Sequence, residues 1–119
     1  YPEPASRAFV GFLAEHGIEV VHLQWLDAQS GWAASVMPRD KVIAGAREAA
    51  VEGAQAVLVP DTAMPTLHLA EALEEAAGLP VLTANQVTLW DAMRLASGGI
   101  RVQGFGSTFD RLDAAEAAA

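Results

Sequence analysis

The stretch AVLVPDTAMPTLHLAEALEEAAGLPVLT, residues 56–83, reads as a strand, a helix and a second strand. Its opening AVLV is a short, unbroken apolar run, the pattern of a strand covered on both faces in a parallel sheet. Leu67, Ala70, Leu73 and Ala77 then recur at helical spacing, with Glu71, Glu74 and Glu75 on the wet side. PVLT at 80–83 supplies the next strand. Strands that alternate with helices over short connections imply a layered α/β fold, in which right-handed crossovers place helices on both faces of a parallel sheet.

The rest of the chain extends this pattern in both directions. Upstream, Phe9, Phe12, Leu13 and His16 stripe a helix that opens near Ala5, and IEVVHL at 18–23 is a β-rich run. Residues 24–37, QWLDAQSGWAASVM, have no clear period. Val42, Ile43, Ala46 and Ala50 then stripe a helix that ends near Gly53, with Pro38 suited to its first turn. Downstream, Leu89, Ala92, Met93 and Ala96 stripe another helix, and IRVQ at 100–103 is the candidate last strand. The expected fold is therefore a Rossmann-like parallel sheet with helices on both faces. Because βαβ units begin with a strand, the opening YPEP is expected to be the turn out of an upstream strand, and the chain to be one half of a larger protein.

Length and composition fit one domain over residues 1–119, with 113–119 as a frayed tail. Hydrophobic residues make up 52% and charged residues 18%, a globular balance. A net charge of -8 without a Lys/Arg cluster argues against a nucleic-acid backbone or an anionic membrane as partner. With no cysteine there is no disulfide framework and no thiol nucleophile, and the expected location is cytoplasmic. A homo-oligomer is the expected assembly.

In open parallel sheets, ligands bind beyond the carboxyl ends of the strands, beside the amino termini of the following helices. The residues at those ends are Tyr1, Gln24 with Trp25, Asp61 with Thr62, and Thr83 with Asn85 and Gln86. Asp61 suits either a helix cap or a general acid/base, since a carboxyl partly desolvated at a strand end can work near neutral pH. Asn85 likewise suits a cap or a ligand contact. His16, His22 and His68 lack metal-ligand spacing, and no metal site is expected. His22 is expected to be a packed strand residue, and Trp25 and Trp32 to pack in a core or an interface. GFGS at 104–107 lacks the order of a phosphate-binding loop and is read as a turn.

Two resemblances bear on function. DTAMP, with PVLTA, is similar to the phospho-acceptor and switch segments of response-regulator receiver domains. However, Asp61 and Thr83 are closer together than in receivers, no Lys follows Thr83, and Glu3 is a poor stand-in for the paired acids that would hold Mg²⁺.

The segment GLPVLTANQVTLWDAMRLAS, residues 78–97, resembles the aspartate/glutamate racemase superfamily in its maleate cis-trans isomerase and arylmalonate decarboxylase branch. Asn85, Gln86, Thr88, Leu89 and Trp90 fall on that pattern, while HGIEVVH, GAQAVLV and GFG follow the same order as in the family. The resemblance implies a protein of two similar α/β halves with the active site between them and no cofactor, this chain being the second half. It implies that Tyr1 helps hold a substrate carboxylate. It also sets Asp61-Thr62 where the family carries a catalytic Cys-Thr pair, which keeps proton transfer possible but removes the soft nucleophile.

The expected activity is a cofactor-independent isomerase, racemase or decarboxylase acting on a small carboxylate or dicarboxylate. Asp61 is the expected acid or base, and Tyr1, Thr62, Asn85 and Gln86 the substrate-binding residues. The alternative is a degenerate protein that binds a small acid without turnover.

Overall fold

The computed structural model describes residues 1–96 and 102–110. The expected tail at 113–119 and the first half of the expected strand at 100–103 lie outside those residues. Helix α1 spans Glu3–Glu15, α2 Gly31–Ser35 and α3 Arg39–Ala49. Strand β1 spans Val57–Val59, and a 3-10 turn at Leu67–Leu69 leads into α4, Ala70–Ala77. Strand β2, Val81–Thr83, then runs straight into α5, Ala84–Ala96.

The βαβ unit read from residues 56–83 is present. Strands β1 and β2 pair in parallel with Val57 opposite Val81, Leu58 opposite Leu82 and Val59 opposite Thr83. Alternation along the strands sends Val57 and Val81 into the core and Leu58 to the other face, where it stays 38% exposed. Helices α3 and α4 pack against one another, and Val42, Ala46, Leu69 and Leu73 form a single buried cluster with those strand residues. Leu73 is completely buried, so Leu73→Ala would cost about 2–5 kcal/mol. Gly78 ends α4 with φ +65°, a left-handed conformation that a residue without a Cβ adopts at no steric cost.

Several expectations are corrected here. Residues 18–23 form no strand, and Ile18, Val21 and His22 are exposed instead of packed. A β-rich composition becomes a strand only when a neighbouring backbone pairs with it, and none among the described residues does so. Residues 102 and 103 likewise form no strand. The aperiodic segment contains the short helix α2, whose Ser30 Oγ accepts the Ala33 amide at 3.1 Å. Its Trp32 is 76% exposed and Trp25 is 38% exposed, so neither of the two tryptophans expected in a core or an interface packs in the core of this chain.

Glu74 also departs from the pattern. It was expected on the wet face of α4, yet its carboxylate accepts the Ser107 amide at 3.0 Å, the Ser107 hydroxyl at 2.7 Å and the Val81 amide at 3.3 Å. This bond set caps the helical turn at 107–110 and anchors the GFGS segment against β2. Among the described residues no helix is long and apolar enough to cross a membrane.

Candidate functional site at the carboxyl edge of the strands

Beyond Val59 the chain passes through Pro60 into a turn that Asp61 organises. Its Oδ1 accepts the Ala63 amide at 2.9 Å, the local bond that makes Asp favourable in such turns. No described residue donates to Oδ2. Asp61 is half-buried, Thr62 is exposed and Met64 is buried beneath the turn.

Tyr1 reaches this turn from the start of the chain. Its hydroxyl donates to the Pro60 carbonyl at 3.3 Å. Burial of the ring, and secondly the Asp61 carboxylate nearby, raise its pKa above the ordinary 10.0. The phenol therefore stays protonated at neutral pH, and its one O–H could serve an anionic ligand by turning from the Pro60 carbonyl. Tyr1 and Asp61, assigned to one site by position in the sequence, are neighbours in space.

The amino terminus of α5 comes to the same edge because β2 leads into it without a loop. Thr83 and Gln86 close that end reciprocally: Thr83 Oγ1 accepts the Gln86 amide at 3.3 Å, and Gln86 Oε1 accepts the Thr83 amide at 3.3 Å. Gln86 Nε2 donates to the Phe105 carbonyl. Gln86 is fully buried and its carboxamide is occupied at both ends by the fold.

Asn85 is also occupied. Its Oδ1 accepts the Thr66 hydroxyl at 3.1 Å and the Thr66 amide at 3.3 Å, while its Nδ2 donates to the Thr62 carbonyl at 3.0 Å. The structure thus brings Tyr1, Asp61, Thr62 and Asn85 together and sets Gln86 behind them. Helix α2 approaches from a further side, since a Cβ on Gly31 would stand 3.6 Å from the Ala63 Cβ.

Gln24 and Trp25, the other strand-end candidates, belong to a different place. They line an open groove of about 410 Å³ along α3 with Leu26, Lys41 and Glu48. Gln24 donates to Glu48 at 2.6 Å and Lys41 donates to the Leu26 carbonyl at 3.2 Å, so these polar ends hold the segment onto α3. Trp25 carries Arg7, whose guanidinium carbon lies 5.7 Å from its ring centroid. Among the described residues no group of three or more His, Asp or Glu could hold a metal ion.

Thr66 was missed by the sequence reading. It is completely buried and bonded to Asn85 across 19 positions, a separation that no local pattern records.

The arylmalonate decarboxylase family model matches residues 1–109. The chain belongs to the arylmalonate decarboxylase family. This family is a branch of the aspartate/glutamate racemase-like superfamily, as the run of Asn85, Gln86, Thr88, Leu89 and Trp90 led one to expect. Among solved structures the chain resembles an unliganded arylmalonate decarboxylase with a TM-score of 0.80 at 24% identity, over 93% of this chain and 50% of that one. The likeness extends the fold assignment to nearly the whole chain, which spans about half the length of the structure it matches. No curated protein sequence matches this chain. The arylmalonate decarboxylase assignment displaces the receiver-domain comparison, whose residues occupy the same β1 turn.

Proposed function

We propose that the chain contributes one side of a cofactor-independent active site that moves a proton at the α-carbon of a small carboxylate, with Asp61 as the acid or base. The observation that carries this reading is the half-buried Asp61, turned by its own Oδ1–Ala63 bond at the mouth of β1, with the protonated Tyr1 hydroxyl beside it. Tyr1, the Thr62 hydroxyl and first-turn amides of α5 would hold the substrate carboxylate, since a helix amino terminus favours an anion.

Family membership supports decarboxylation, racemisation and isomerisation as the reaction classes. In decarboxylation the bond to the departing carboxylate breaks, its electron pair passes into the remaining carboxylate as an enediolate, and the α-carbon then takes a proton. In racemisation the same enediolate forms when a base removes the α-proton. The proton transfer at carbon is common to both, and it is the step that a carboxyl at position 61 can serve. A carboxylate adds poorly to an activated alkene, so the addition–elimination route of maleate isomerisation is disfavoured at this residue.

The second reading, a protein that binds a small acid without turning it over, is favoured by the absence of cysteine from the chain. Incubation with phenylmalonate, followed by carbon dioxide release, separates the two. Product formation that Asp61→Asn abolishes supports the enzyme, whereas thermal stabilisation by the acid without product supports the binder.

A further inference from the structure

The loop that follows Asp61 is tied to the start of α5 by the Asn85 side chain. Its carboxamide takes two donors from Thr66, the amide at 3.3 Å and the hydroxyl at 3.1 Å, and gives one hydrogen to the Thr62 carbonyl at 3.0 Å. These contacts bracket residues 62–66, the segment that supplies the Ala63 amide to Asp61 Oδ1. Asn85 itself is fixed, because the next residue, Gln86, is locked to Thr83 and Phe105. A rigid chain of contacts therefore runs from the buried capping pair through Asn85 to the turn that aims Asp61. Thr66 is completely buried, so without Asn85 its hydroxyl and amide would lose their recorded partner away from water.

We infer that Asn85 is a positioning residue: it clamps the loop after β1 to the start of α5 and fixes the direction of the Asp61 carboxyl, and it does not itself hold the substrate. Its carboxamide oxygen and one Nδ2 hydrogen are committed to the loop, so a substrate carboxylate falls to Thr62, backbone amides and the Tyr1 hydroxyl, once that hydroxyl turns from the Pro60 carbonyl to the anion. For its effect on turnover the inference rests on the reading of Asp61 given above. For its effect on the loop it stands independently.

Amide hydrogen exchange and kinetics on the same ¹⁵N-labelled full chain test it, with phenylmalonate as the probe substrate. In Asn85→Ala the Ala63 and Thr66 amides should exchange about tenfold faster or more, because the loop then opens without breaking its bonds to α5. The Val57 amide, which bonds the Pro80 carbonyl at 2.9 Å, should be unchanged. Asn85→Asp keeps the acceptor but loses the donor, so Thr66 should stay protected while Ala63 quickens, and this variant carries the test if the alanine variant folds poorly. In both variants kcat should fall with KM nearly constant. Unchanged exchange at Ala63 and Thr66 in Asn85→Ala would overturn the inference, as would a rise in KM at constant kcat, the signature of a direct substrate contact. If the unmodified chain does not turn phenylmalonate over, the proposed activity fails while the exchange data still decide the role of Asn85.

Discussion

Thr83 and Gln86 exchange a pair of hydrogen bonds, each at 3.3 Å, that seals the junction between β2 and α5. Both side chains are buried, at 1% and 0% exposure, so the pair is isolated from competing water. Removing Gln86 would leave the Thr83 amide and the Phe105 carbonyl without their partner. Gln86→Ala should destabilise the fold by about 2–4 kcal/mol, read from the midpoint of urea unfolding at constant slope. Thr83→Ala, which removes only the cap acceptor, should cost about 1 kcal/mol.

The same junction constrains Gly106. Its φ is +83°, and a Cβ there would lie 2.8 Å from Gln86 Nε2 and 3.3 Å from the Glu74 carboxylate. Gly106→Ala combines left-handed strain with a clash against a buried amide and should cost about 2–3 kcal/mol. Gly53→Ala, where φ is +89° but nothing stands within 4 Å, isolates the backbone contribution, about 1 kcal/mol, when the two are compared by thermal unfolding.

These two sites show what local pattern conveys and what it does not. The stripe of α4 is read from its spacing, whereas the capping pair of α5 is not: the sequence assigns Gln86 to the substrate, although Thr83 and Gln86 stand at capping-box spacing before an apolar helix. Glu74 read as a solvated residue because its neighbours Glu71 and Glu75 are exposed, while its partner Ser107 lies 33 positions downstream. Residues 18–23 read as a strand because composition records β preference but not the presence of a neighbour to pair with. The place of Asp61 beyond the carboxyl end of β1 was legible because a strand end is a topological location, fixed by the βαβ order and not by any single contact. The work done by Asn85 on Thr62 and Thr66 was not legible, since a cap, a ligand contact and a clamp all use the same residue type.

The raised pKa of Tyr1 has a defined sign. The folded state binds its phenolic proton more tightly than the unfolded chain, whose value is 10.0, so the contribution is fully present below pH 10 and is lost as pH rises through the folded value. Stability should therefore fall on the alkaline side of pH 10 in the wild-type chain and fall less in Tyr1→Phe, as followed by circular dichroism across pH 8–12. Around neutral pH the two should differ by no more than about 1 kcal/mol, because the bond removed lies near the surface.

Asp61→Cys restores the residue type that the family resemblance sets at this position. A thiol accepts the Ala63 amide only weakly, so this variant should lose about 0.5–1 kcal/mol of stability while leaving the fold intact. If proton transfer at this position is the task, the thiol variant should retain measurable turnover of phenylmalonate, whereas Asp61→Ala should not.

Asp61→Asn supplies the most direct measurement of the central claim. The amide side chain keeps an oxygen for the Ala63 N–H, so the turn and the thermal midpoint should be preserved, but it cannot give or take a proton. The full chain is incubated in D₂O with phenylmalonate or phenylacetate, and deuterium at the α-carbon is followed by NMR. The account predicts incorporation by the wild-type chain and a loss of about 10²-fold or more in Asp61→Asn at unchanged thermal stability. Equal rates of incorporation by the two proteins would contradict it.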